Sequence, residues 1–248
     1  MKLTCVIPAY NEERYLEDCL RSIEREAGTR LGKDIEVVVV NNGSNDRTRA
    51  IAASFPFVRI VDEPVRSLTR ARSTGVNASS GELIANIDAD TRVPHGWIET
   101  IFNEFEKQPE LLALSGPFIY YDLSLPTRAL VRCFYGISFL VYLTNRFVLR
   151  VGSMLQGGNF IVRRSALEKI GGFDLSIDFY GEDTDIAKRL TVYGPVKWTF
   201  KFPIYSSGRR IKAEGLVRAA WRYTLNYFSV MFFGRPFSRE HTNIRSRI

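Results

Sequence analysis

The segment Gly81-Glu82-Leu83-Ile84-Ala85-Asn86-Ile87-Asp88-Ala89-Asp90 decides the fold class. Glu82–Ile87 reads as a strand, and its apolar run ends abruptly at two carboxylates. In open α/β sheets, ligands collect at the carboxyl ends of strands. Two carboxylates in that place can hold a divalent ion, which then bridges the phosphates of a ligand. A D-x-D triplet alone is a weak signal, because such triplets are common in solvated turns. The strand-end position is what gives it weight.

Working outward, short apolar runs alternate with helical patterns, as expected of a parallel sheet with crossover helices. Leu3–Ile7, Ile35–Val40 and Phe57–Val61 read as three strands preceding Glu82–Ile87. Tyr15, Leu16, Cys19, Leu20 and Ile23 repeat on one face of a first helix, and Asn45-Asp46 suits the cap of a short helix leading to Ala53. A helix from about Leu68 to Ala78 leads into the deciding strand. Beyond it, Trp97, Ile98, Ile101, Phe102 and Phe105 mark another helix, and Leu111–Ser115 another strand. The second half is less regular. Leu123 to Leu149 is apolar, aromatic and helical in pattern, Asn159–Val162 and Pro195–Phe202 read as strands, and Asp183–Leu190 as a short helix. Ala213–Phe233 reads as one amphipathic helix, with a loosely structured tail after Pro236.

Composition sets limits. The 248 residues suffice for one large α/β domain with a real core. Cys5, Cys19 and Cys133 show no metal spacing and read as small hydrophobes in a reducing compartment. The early apolar run stops at Pro8, too short for an export signal. No run approaches the ~18 apolar residues of a spanning helix. A cytoplasmic location is expected. The net charge of +7 implies acidic company. It is concentrated from Arg209 onward, in Arg209, Arg210, Lys212, Arg218, Arg222, Arg235, Arg239, Arg245 and Arg247.

Three further clusters carry chemistry. Gly181-Glu182-Asp183-Thr184-Asp185 opens a helix. Acidic residues favour a first turn for dipole reasons alone, and spacing by itself favours that plain explanation over a general base at a cleft lip. Pro8-Ala9-Tyr10-Asn11-Glu12 follows the first strand and suits both a strand-to-helix turn and a loop against a base or ribose. Asn41-Asn42-Gly43-Ser44 is likewise a turn first and a ligand loop second.

The ordered set is more specific than its parts. Pro8-Ala9-Tyr10-Asn11-Glu12, Val40-Asn41-Asn42-Gly43-Ser44-Asn45-Asp46, Ala71-Arg72, Gly81-Glu82 and Asp88-Ala89-Asp90 resemble family-2 glycosyltransferases in order and spacing. Gly157-Gly158-Asn159-Phe160 with Arg163, Gly171-Gly172-Phe173-Asp174 and Glu182-Asp183 extend the resemblance over roughly residues 3–210. It implies a GT-A fold: a Rossmann-like, mostly parallel sheet flanked by helices, here with a helical carboxyl-terminal extension. The catalytic domain would be 1–210, and 211–248 a basic amphipathic helix and tail.

The resemblance also implies an inverting hexosyl transfer from a nucleotide-sugar donor, with a UDP-sugar favoured over a GDP-sugar. Pro8, Tyr10, Glu12, Asn41 and Arg72 would face the donor. Asp88 would lie near ribose and metal, Asp90 would be the main ligand of Mn²⁺ or Mg²⁺, and Asp183 would be the base, supported by Glu182. Two positions depart from the family pattern: Asn41 stands where Asp is usual, and Ser73 where Asn is frequent.

Ser206-Ser207-Gly208-Arg209-Arg210 resembles the flexible basic loop of some relatives, so Arg209 and Arg210 are candidates to clamp the diphosphate. A solvated loop explains them equally well. Leu216, Val217, Ala220, Trp221, Leu225 and Phe228 form an apolar stripe, either packed on the core or resting on anionic lipid. With the aromatic run Phe134, Tyr135, Phe139 and Tyr142, this motivates a lipid-linked or cell-envelope acceptor at the inner face of a membrane. Intact Asp88, Asp90 and Asp183 speak against a non-catalytic binder of nucleotide sugars. The region around Pro8–Glu12 is not the glycine-rich basic loop of a nucleotidyltransferase. No nucleic-acid recognition motif accompanies the charge.

Overall fold

A computed structural model describes residues 1–149 and 153–238. The first half follows the expected alternation: β1 Leu3–Ala9, α1 Leu16–Ala27, β2 Ile35–Asn41, α2 Thr48–Ala53, β3 Val58–Asp62, α3 Leu68–Asn77 and β4 Leu83–Ile87. After these come β5 Thr91–Arg92, α4 Trp97–Lys107, β6 Ala113–Ser115, β7 Phe118–Tyr120 and α5 Leu125–Leu143, which continues as a π-helical segment Thr144–Leu149. The chain closes with β8 Asn159–Arg163, α6 Arg164–Lys169, α7 Glu182–Thr191, β9 Val196–Trp198, β10 Ile204–Ser206, α8 Arg209–Glu214 and α9 Leu216–Phe233.

The main sheet has the order β3-β2-β1-β4-β8-β6-β9. β1 pairs in parallel with β2 and β4, and β8 runs antiparallel to both β4 and β6. The chain winds one way from β1 to β3 and then crosses to β4 on the other side of β1. The carboxyl ends of β1 and β4 therefore border the switch point where ligands bind in such sheets. Leu16, Cys19, Leu20 and Ile23 of α1 are buried against one face, each contributing about 1.5–3 kcal/mol for an aliphatic side chain. Val6, Val38, Val40 and Ile84 face α3 on the other. That helix lies so close that a Cβ on Gly75 would overlap Val6. Ser67 caps it by accepting from Arg70 N, and Asp46 Oδ1 accepts from Thr48 N at the start of α2.

The structure differs from the sequence reading in four places beyond β4. Pro195–Phe202 is a strand only over Val196–Trp198, after which the chain turns and forms β10. A second sheet, β5-β10-β7, was invisible because its strands have two or three residues each, too few for a periodic pattern. Ala213–Phe233 is not one helix: Gly215, at φ 84°, separates α8 from α9. Ser206–Arg210 is not a loop throughout, because β10 ends at Ser206 and α8 begins at Arg209. Most of the tail after Pro236, including Arg239, Arg245 and Arg247, lies outside the described residues.

Candidate active site

The turn after β1 is built around Asn11, which takes φ 51°, a conformation asparagine tolerates better than most residues. Its side chain accepts from Asn45 N and its own N–H reaches Ser44 Oγ, so the β1 and β2 loops are tied together. This turn sends Glu12 inward, where it is only 1% exposed. Across the cleft, β4 delivers Asp88 and Asp90. The second sheet then places Arg209 beside them. β10 pairs with β5 immediately after Asp90, and Ser207 N donates to the Asp90 carbonyl at 3.2 Å. Arg209 forks onto both Glu12 oxygens at 2.7 Å each, and its Nε lies 2.8 Å from Asp90 Oδ2. Burial opposes the guanidinium charge, but Asp90 and Glu12 outweigh it and hold the arginine pKa well above normal.

A second cluster lies behind this one. Arg72, from α3, is fully buried and donates to Glu182 Oε1 at 2.7 Å and Asp88 Oδ1 at 3.2 Å. The Gly157-Gly158 backbone is wedged between these groups. A Cβ on Gly158 would overlap the Asp88 carboxylate, and one on Gly157 would sit 3.1 Å from Glu182 Oε1 and 3.2 Å from Asp183 Oδ2. Asp183 accepts N–H bonds from Gly157 and Thr184, each at 2.7 Å. Burial, reinforced by the Asp183 charge, pushes Glu182 up to about 8, with Arg72 opposing. Burial likewise raises Asp183, against the two backbone bonds.

The remaining expected residues are placed as follows. Pro8 lines the cleft with Glu12, Asp88 and Asp90. Tyr10 carries the Arg66 guanidinium 3.8 Å above its ring. Asn41 donates to Asp62 Oδ1 at 2.8 Å, which gives a physical reason for its departure from the family pattern: an aspartate there would face Asp62. Arg210 does not join Arg209 at Asp90. It donates to the Tyr180 hydroxyl and Glu214 and stacks over Phe179. Sequence reasoning missed Tyr120, Phe179 and Tyr223, which line the same cleft, and Asp122, which accepts from Ser207 Oγ, Gly208 N and Lys212 Nζ at the start of α8. No motif marks them: Tyr120 comes from the short strand β7, Phe179 from the segment just before α7, Tyr223 from α9 and Asp122 from the turn after β7.

Residues 4–171 match the family model described as glycosyl transferase family 2. The chain belongs to this family. Among its relatives, glycosyltransferase GlyA of Streptococcus pneumoniae is 35% identical over 127 residues, covering 50% of this chain and 17% of that protein. Probable glycosyltransferase YdaM of Bacillus subtilis is 25% identical over 205 residues, covering 76% of this chain and 46% of that one. The chain thus spans less than half the length of either relative. Among solved structures, mannosyltransferase PcManGT from Pyrobaculum calidifontis, in complex with GDP-Man and Mn²⁺, superposes with a TM-score of 0.67 at 21% identity. It covers 94% of this chain and 63% of its own. Glucosyl-3-phosphoglycerate synthase from Mycobacterium tuberculosis, in complex with Mn²⁺ and UDP-glucose, gives 0.63 at 19%, covering 96% and 80%. At these identities the likeness shows the fold, which is the GT-A arrangement of a mostly parallel sheet flanked by helices.

Within this family-2 frame the donor set for a metal can be tested on its chemistry. Asp88 and Asp90 supply hard carboxylate oxygens that suit Mn²⁺ or Mg²⁺. Among the described residues, no group of three or more His, Cys, Asp or Glu side chains is arranged to hold a metal ion. Such a pair fits an ion held by one or two carboxylates, with phosphates and water completing the shell, and does not fit a closed structural site.

Proposed function

We propose that this family-2 chain is an inverting hexosyltransferase. It takes a nucleoside diphosphate sugar, UDP-linked in preference to GDP-linked, and glycosylates an acceptor hydroxyl. The observation that carries the reading is the continuous arrangement of Asp90 and Asp88 at the cleft with Arg72, Glu182 and Asp183 behind them. Asp90 and Asp88 would hold a divalent ion, which would supply Lewis-acid stabilisation of the departing diphosphate. Pro8, Tyr10, Glu12 and Asn41 border the nucleotide. Asp183 removes the acceptor proton. Its raised pKa suits a base, and the Gly157 and Thr184 N–H bonds orient its carboxylate. Arg72 fixes Glu182 and Asp88 relative to one another. Two carboxylates divide the labour, and no covalent sugar–enzyme bond is needed.

We place the acceptor at the inner face of a membrane, with the exposed side of α9 facing the lipid. Three residues of the aromatic run are taken up by the protein itself: Tyr135 and Tyr142 are buried, and Phe139 packs on Trp198. Other residues favour the lipid contact. Leu130, Ile137, Leu140, Phe147 and Val148 stand exposed along one side of α5 and its π-helical continuation. α9 packs inward through Ala219, Asn226, Val230 and Met231, leaving Val217 82% and Trp221 65% exposed. Asn145 donates to the Tyr227 hydroxyl at 2.8 Å, joining the two helices. Apolar stripes of this size, flanked by Arg132 and Arg218, suit an interfacial helix on anionic lipid. No helix among the described residues is long and apolar enough to cross a membrane.

The test is turnover across UDP-, GDP- and dTDP-sugars with Mn²⁺ or Mg²⁺, with the anomeric configuration of the product read by NMR. One donor consumed with inversion supports the reading. Retention of configuration, or no donor consumed under any metal, overturns it. Flotation with anionic vesicles tests the acceptor side: binding that weakens with salt and with Val217→Ser plus Trp221→Ser is expected, and indifference to both contradicts it.

A further inference from the structure

Arg209 lies in the cleft where the donor site is placed, and its three bonds are not equivalent. The Glu12 fork uses both terminal nitrogens on a carboxylate that is 1% exposed, so this pair has strong geometry and little competition from water. The Asp90 contact uses only Nε. A divalent ion on Asp90 would meet a guanidinium already on the same carboxylate, and two cations sharing one carboxylate repel. A diphosphate entering with that ion brings the charge and spacing that an arginine fork prefers. The space now enclosed around these groups is about 130 Å³, below the roughly 300–1,000 Å³ usual for small-molecule sites. Local geometry permits movement. Arg209 opens a six-residue helix preceded by Gly208 and followed by Gly215, and the start of that helix is held by Asp122 rather than by Arg209.

We infer that Arg209 is an exchangeable counter-cation of the donor site, neutralising Asp90 until a divalent ion takes that carboxylate, and then keeping one terminal nitrogen on Glu12 while Nε and the other turn onto the donor diphosphate. The inference rests on the donor-site reading above and adds a consequence that reading lacks. The protein carries a competitor of its own metal, and the same side chain becomes a ligand of the phosphates. Metal and donor then bind cooperatively, because each removes an obstacle to the other.

The experiment is Mn²⁺ binding to the full chain without nucleotide, followed by electron paramagnetic resonance of the free ion. Wild type is compared with Arg209→Ala, Arg209→Lys, Arg210→Ala and Asp90→Ala. Arg209→Ala is expected to bind Mn²⁺ on the order of tenfold more tightly than wild type, since it leaves two carboxylates unneutralised. Arg209→Lys, whose ammonium keeps the charge but cannot reproduce the planar fork on Glu12 together with the Nε contact to Asp90, gives a smaller gain and serves if the alanine variant fails to fold. Arg210→Ala stays at the wild-type value. With Mn²⁺ saturating, UDP is expected to bind Arg209→Ala on the order of tenfold more weakly. Mn²⁺ affinity unchanged or lower in both Arg209 variants overturns the inference. If Asp90→Ala binds Mn²⁺ as wild type does, the donor-site reading itself fails. If Asp90→Ala loses the ion while the Arg209 variants gain nothing, the exchange alone fails.

Discussion

The two sides of the cleft each place one buried arginine between two carboxylates, yet they are built for different ends. Arg72 comes from the middle of α3, a helix pressed onto the sheet, and it bridges Asp88 and Glu182 with no room to turn. Its Nε has no partner among the described residues, so its position is set by packing and two ion pairs rather than by a full set of bonds. Arg209 comes from a short helix bounded by glycines, held in place by Asp122. On the proposed reading, one arginine would fix the base side of the site and the other would change partners on the donor side. An active site that must hold a base still while admitting a bulky charged donor needs both.

Substitutions sharpen or break this contrast. Asp183→Asn removes the proton acceptor, and turnover is expected to fall by roughly 10²–10⁴ with donor binding retained, as measured by single-turnover kinetics and titration. Arg72→Met leaves Glu182 and Asp88 without their cation and should cost about 3–5 kcal/mol in urea unfolding. Arg209→Met should cost less and regain stability when Mn²⁺ is added. If the order is reversed, the two arginines have been assigned the wrong way round.

The pH dependence of stability has a definite sign. Glu182 binds its proton more tightly folded than unfolded, so its own contribution to stability is fully present below about 4.5 and is lost as pH rises to about 8. Glu182→Gln should flatten that decline in thermal melts across the range. A smaller effect belongs to the outer edge. Asn41→Asp would set a carboxylate against Asp62, which is largely exposed, and should destabilise by about 0.5 kcal/mol. Asp62→Asn in the same chain should restore stability, and failure to do so would break the explanation of the asparagine.

The first half of the fold was legible because its elements are long and periodic. β1, β2, β4 and α1 carry their apolar residues at the expected spacing, and the carboxylates at the strand ends followed from position. What escaped was short or tertiary. β5, β7 and β10 have no period of their own, and they decide that Arg209 meets Asp90. The α9 stripe was readable as apolar, but whether Val217 and Trp221 faced the core or solvent depended on the break at Gly215 and on which side α9 meets α7. Arg72 could be placed on a helix facing the donor strands. That it would be sealed between Asp88 and Glu182 rests on Gly157-Gly158 approaching closely, a feature of packing rather than of spacing.

Asp90 is proposed to serve metal-dependent donor binding, and Asp183 the chemistry. This division of roles is tested most directly by calorimetric titration of the preferred nucleotide sugar with Mn²⁺ into wild type, Asp90→Ala and Asp183→Asn, alongside turnover of the same samples. Asp90→Ala is expected to lose binding and turnover together, whereas Asp183→Asn is expected to bind as wild type and turn over at least about a hundredfold more slowly. Full binding by Asp90→Ala, or undiminished turnover by Asp183→Asn, would contradict it.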